Sequence, residues 1–167
     1  MLCFLSISVA AESLKNERIL IITSYNPDTE KTNANLKEFF KEYEKLTGYT
    51  ANICIENMNC KNLSEGMQWN CRMAKLLDNH KATPPSLIIL LGQEAWASFL
   101  SQTSDMARKT PSMGAMIGTN ALEAPKEKDV NLRTFMPNSR EYPSFTNFNI
   151  VGGIFYKYDV ERNIELI

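Results

Sequence analysis

The sequence predicts a three-layer α/β sandwich built on a mostly parallel five-stranded sheet, and three observations predict it. Short, nearly unbroken apolar runs recur, as expected of strands buried on both faces. Amphipathic stretches with the 3.6-residue period of a helix separate them. A glycine or a polar turn follows each of the clearest runs, where a strand would hand over to its helix. Strand and helix alternate four times, which favours parallel pairing with right-handed crossovers and helices on both faces.

The first strand is expected at residues 18–23, Arg-Ile-Leu-Ile-Ile-Thr, and is broken by Ser24-Tyr25-Asn26-Pro27-Asp28. From Thr32 the period changes: Leu36, Phe39, Phe40, Tyr43 and Leu46 fall on one helical face, and Gly48 supplies a left-handed stop. A second strand is read at residues 49–55, followed by a loop through residue 63. A helix opening at Ser64 and Glu65 is expected to turn Met67, Cys71, Ala74 and Leu77 inward, with Leu76 at the border, and to stop before Pro84 and Pro85. Residues 86–91 form the third strand, closed by Gly92. Ala95, Trp96, Phe99 and Leu100 mark the inner face of the next helix, and Trp69 and Trp96 read as core or crevice-wall residues. Residues 112–117 form a fourth strand, closed by Gly118, and residues 149–156 a fifth. Between them, residues 119–149 carry no clear period, so a lid or a partly ordered insertion is expected there. Asp159 is positioned to cap a helix containing Val160, Ile164 and Ile167.

Composition narrows the function classes. The 167 residues carry 18 basic and 19 acidic side chains, interleaved along the chain, for a net charge of -1. Electrostatic nucleic-acid binding rests on clustered Lys and Arg and is not indicated. His80 is the single histidine, so a multi-histidine metal site is excluded, and it reads as a solvated residue at a helix C-terminus. A zinc site is disfavoured because no CxxC or HxxxH spacing occurs. No GxSxG elbow or GxGxxG turn is found, and no catalytic residue is assigned.

The start of the chain bears on compartment. Residues 1–11, MLCFLSISVAA, are uncharged and end in small residues that suit signal peptidase. They read as a signal-peptide remnant, leaving residues 12–167 as the mature part and implying an extracytoplasmic location. Cys3 would leave with the signal. Of Cys54, Cys60 and Cys71, the favoured disulfide is Cys60 with Cys71, and Cys54 reads as a buried strand residue.

In open parallel sheets the functional crevice lies beyond the carboxyl ends of the strands. That rule selects residues 24–32, 56–62, 92–95 and 118–122. Ser24, Tyr25 and Asn26 offer hydroxyl, aromatic and amide groups suited to a small polar ligand, although the same residues also serve turn geometry. Gly92, Gln93 and Glu94 combine close backbone approach with polar groups at a helix start; Glu94 there would also complement the helix dipole without any ligand. Thr119 and Asn120 repeat the arrangement after Gly118. A flavodoxin-like flavin site is an alternative because Thr23, Ser24, Thr29 and Thr32 are rich in hydroxyls, but the loop is poor in glycine. No cofactor is assigned.

The run at residues 17–27, ERILIITSYNP, with SLIILLGQE at residues 86–94, resembles the N-terminal lobe of the extracytoplasmic sensor domains of Bacteroides-type hybrid sensor histidine kinases. These domains are similar to the periplasmic solute-binding proteins of ABC transporters. The resemblance spans most of residues 17–118, with residues 150–167 resembling the crossover into a second lobe. It implies a periplasmic-binding-protein-like lobe of flavodoxin-like topology that senses a small ligand between two lobes, as half of a two-lobed domain tied to a membrane-anchored kinase. By position, Ser24, Tyr25, Gln93, Glu94 and Asn120 fall where that family lines its cleft. The second lobe and the kinase motifs are absent from these residues, residues 123–149 are longer than the family's usual connection, and homodimerisation is compatible with the reading. A lobe of a transport-type solute-binding protein is the nearest alternative.

Overall fold

The computed structural model describes residues 17–48, 52–61, 65–118 and 147–156. In chain order the described elements are β1 (Ile19–Thr23), α1 (Glu30–Thr47), β2 (Ile53–Asn57), α2 (Gly66–Asn79), β3 (Leu87–Leu91), α3 (Gln93–Leu100), α4 (Asp105–Lys109), β4 (Ser112–Gly118) and β5 (Ile150–Tyr156). The five strands form one sheet in the order β2-β1-β3-β4-β5, and every neighbouring pair is parallel. The expected α/β class is therefore the observed one, with the flavodoxin-like strand order of a doubly wound sheet. Among the described residues no helix is long and apolar enough to cross a membrane.

Alternate residues of the apolar strands feed two cores, which makes the sheet the middle of three layers. Ile19, Ile21 and Ile89 meet Leu36, Phe39, Phe40 and Tyr43 of α1 on one face. Leu20, Ile22, Ile88 and Leu90 meet Trp69, Met73 and Leu77 of α2 and Trp96, Phe99 and Leu100 of α3 on the other. Helix α1 ends on Gly48 at φ 75°, whose N–H donates to the Glu44 carbonyl, as the sequence indicates. Leu46 departs from expectation. It is 80% exposed, because the last turn of α1 carries it past the apolar stripe.

Four further expectations need correction. Among the described side chains the inner stripe of α2 is Trp69, Met73 and Leu77, with Leu76 half-buried, whereas Cys71 and Ala74 face solvent; the Met67 side chain lies outside the description. Trp69 and Met73 outbid the smaller residues because they remove more apolar area from water. Cys60 and Cys71 form no disulfide: Cys60 is buried beneath the sheet edge and Cys71 points outward. His80 is not solvated; it is 4% exposed, held between Arg18 and Glu56. Cys54 is half-buried.

Helix α4, not anticipated, is started by Ser104, whose hydroxyl accepts the Ala107 N–H. The signal-like residues 1–11, Thr119 and Asn120, most of the expected loop at residues 119–149 and the expected helix at residues 159–167 lie outside the described residues.

Candidate functional site at the β1/β3 switch point

Strand order reverses between β1 and β3, since β1 is followed in the sheet by β2 on one side and by β3 on the other. Loops leaving two such strands diverge to opposite faces and open a crevice at the carboxyl edge. Here those loops begin at Ser24 and Gly92.

The two loops are joined by backbone and by side chain. The Ser24 N–H donates to the Leu91 carbonyl at 2.9 Å, and the Gly92 N–H to the Ala115 carbonyl at 3.0 Å. Gly92 adopts φ 99° and ψ 160°, a combination open to glycine and nearly closed to other residues. A Cβ there would stand 2.5 Å from Ser24 Oγ and 2.9 Å from Ser24 Cβ. That close approach has a purpose: Ser24 Oγ accepts the Ala95 N–H at 2.9 Å. Ala95 is the third residue of α3, so Ser24 caps the helix from the end of another strand.

Above this buried bond, Tyr25 and Glu94 meet. The Tyr25 hydroxyl donates to Glu94 Oε1 at 2.5 Å, a short charge-assisted bond. Partial burial, then the Glu94 carboxylate, holds the Tyr25 phenol well above the ordinary tyrosine range. Cys60 lies beneath the same carboxylate. Burial first, and then Glu94, pushes its thiol up to about 12, which marks it as an inert packing residue.

A cleft of about 640 Å³ opens at this edge, lined by Tyr25, Gly92, Gln93 and Glu94, with Thr23, Thr32, Leu91, Met116, Ile154 and Tyr156 completing its walls. That volume lies within the range of small-molecule sites. Two phenols, two threonines, an amide and a carboxylate share the cleft with aliphatic walls. Such a lining suits a small polar molecule that presents one apolar or ring face and donates hydrogen bonds to Glu94.

Of the residues expected at the site, Tyr25, Gly92, Gln93 and Glu94 are brought together in the cleft lining. Ser24 lies one layer below, buried and committed to Ala95. Asn26 is turned to its own loop, where its Oδ1 accepts the Asp28 N–H at 3.0 Å. Met116 and Tyr156 lie outside the four crevice segments the strand-end rule selected. Tyr156 ends β5, so the same rule applied to the fifth strand finds it. Met116 has no such signal. It sits at φ 60°, between Ala115 and Ile117 where the β4–β5 register slips, and this bulge aims its side chain into the cleft.

No protein-family model matches the chain, and neither a curated protein nor a solved structure matches it.

Proposed function

We propose that this chain is the N-terminal lobe of an extracytoplasmic sensor domain that binds a small polar molecule on behalf of a two-component histidine kinase. The observation that carries the reading is the Tyr25–Glu94 contact across the β1/β3 switch point, at the floor of a cleft of about 640 Å³. Binding in such a lobe needs no bond-making residues: Glu94 and Gln93 orient the ligand, Tyr25 and Tyr156 contact its faces, and Leu91, Met116 and Ile154 exclude water. A second lobe closing over this edge would complete the site and bias a two-state element toward signalling. The extracytoplasmic location rests on the uncharged, small-residue-terminated run at residues 1–11.

Flavin binding has less support at the same edge. Asp28 and Glu30 stand at the start of α1, where a phosphate would meet negative charge instead of a free helix terminus.

The test is a thermal-shift screen of sugars, amino acids and nucleobases against the chain, alone and extended through its second lobe. A true ligand at about 100 times its Kd adds roughly 2.7 kcal/mol, and the Glu94→Gln variant should lose most of that gain. If no member of the set shifts either chain, or if E94Q responds as the wild type does, the reading fails.

A further inference from the structure

Outside the cleft lining, at the β2 edge and on the α2 face, three metal-type donors converge. Cys54 and Glu56 stand two apart on β2 and so project to the same face. His80 follows the last turn of α2. A Cys54 Sγ, a Glu56 carboxylate oxygen and a His80 ring nitrogen all lie within 4.8 Å of one another. Glu56 Oε1 is 3.2 Å from His80 Nε2, close to the ~3.3 Å separating two ligands around a tetrahedral ion at bond lengths near 2.0 Å. A histidine–carboxylate pair alone needs no third donor; the sulfur turns the pair into a chelate.

We propose that Cys54, Glu56 and His80 form a binding site for a borderline-soft divalent cation, Zn²⁺ above all, with the fourth position left to solvent. Thiolate, imidazole and carboxylate together match zinc's ligand preferences. The thiolate and carboxylate neutralise the ion's two charges.

Arg18 sets the condition for loading. Its Nη2 lies 3.1 Å from His80 Nδ1, and a guanidinium can only donate, so Nδ1 accepts and the ring hydrogen sits on Nε2 facing Glu56. A metal needs the Nε2 lone pair. Loading therefore releases the Cys54 thiol proton to solvent and moves the ring proton from Nε2 to Nδ1. Arg18 must then leave Nδ1, and Thr83 is at hand to keep it, since Arg18 already donates to the Thr83 carbonyl at 2.8 Å and to its hydroxyl. Arg18 is thus a gate on affinity, and replacing it with a residue that accepts from Nδ1 strengthens the site.

The experiment titrates the reduced, metal-free full chain with Co²⁺ and then with Zn²⁺. One equivalent of Co²⁺ should produce the near-ultraviolet thiolate-to-cobalt band and tetrahedral visible bands, and Zn²⁺ should erase them. Cys54→Ser should abolish the thiolate band, His80→Asn should weaken binding at least tenfold, and Cys71→Ser should change nothing. Arg18→Gln, whose amide oxygen can accept the Nδ1–H, should bind about tenfold more tightly. The proposal is overturned if the wild type gives no thiolate band, if the band survives in C54S or disappears in C71S, or if R18Q binds more weakly. None of these outcomes depends on the cleft.

Discussion

Replacing Gly92 with alanine should unfold the cleft's foundation at a cost that can be worked from two contributions. The first is conformational. At φ 99° and ψ 160° a residue with a Cβ pays about 1–3 kcal/mol. The second is steric, because the new methyl would lie 2.5 Å from Ser24 Oγ. Ser24 must rotate away, and the buried Ala95 N–H then loses its acceptor, for about 1–3 kcal/mol more. The sum is about 2–6 kcal/mol, or a fall in Tm of roughly 5–20 °C for a domain of this size. Urea unfolding followed by tryptophan fluorescence is suitable, since Trp69 and Trp96 are both buried. A double-mutant cycle separates the parts. In a Ser24→Gly background the methyl meets neither Oγ nor Cβ, so Gly92→Ala should cost only the conformational share. A loss below about 1 kcal/mol in the wild-type background, or an identical loss in both, would refute the reasoning.

Three further outcomes follow from the geometry. Tyr25 should remain protonated through pH 10, and because its folded pKa lies above the ordinary tyrosine value of 10.0, the associated stability is complete below about pH 10 and drains away as pH rises beyond it; a 295 nm titration of the wild type and of Tyr25→Phe isolates this step, and Glu94→Gln should move it downward. With its thiol pushed up to about 12, Cys60 should react with iodoacetamide at pH 8 at least about a hundredfold more slowly than the exposed Cys71, as peptide mass spectrometry can count. Leu36→Ala should cost about 2–5 kcal/mol, whereas Leu46→Ala, at a position 80% exposed, should stay within about 0.5 kcal/mol of wild type by chemical denaturation.

The parts of this fold that are legible in the sequence are those whose signal is local. β1 and β3 announce themselves as Ile- and Leu-rich runs because both are flanked by strands and covered on both faces. The Gly48 stop and the Gly92 turn are legible because only glycine adopts their backbone freely. The inner face of α2 is harder. Cys71 and Ala74 also lie at helical spacing, and only the packing of Trp69 and Met73 against the sheet decides between the two stripes. His80 carries no local mark of burial at all. Its partners Glu56 and Arg18 lie 24 and 62 residues away, so its surroundings exist only once β1, β2 and α2 are assembled. The same holds in the cleft. The strand-end rule brings Tyr25 and Glu94 to one edge, but it cannot separate the exposed phenol from the buried Ser24 beside it, nor foresee the bulge that sets Met116 on the cleft wall.

The bond from the Ala95 N–H to Ser24 Oγ closes a span of 71 residues, and this bears on the order in which the molecule is built. Helix α3 has only eight residues, too few to persist alone in water. It gains its cap only when β1 already lies beside β3, so the rim waits on a contact between distant stretches of chain and belongs among the slower events of folding. The dependence also runs in reverse. Parting β1 from β3 removes the cap of α3 and the Tyr25–Glu94 contact together. The two halves of the rim are therefore gained and lost as one cooperative unit.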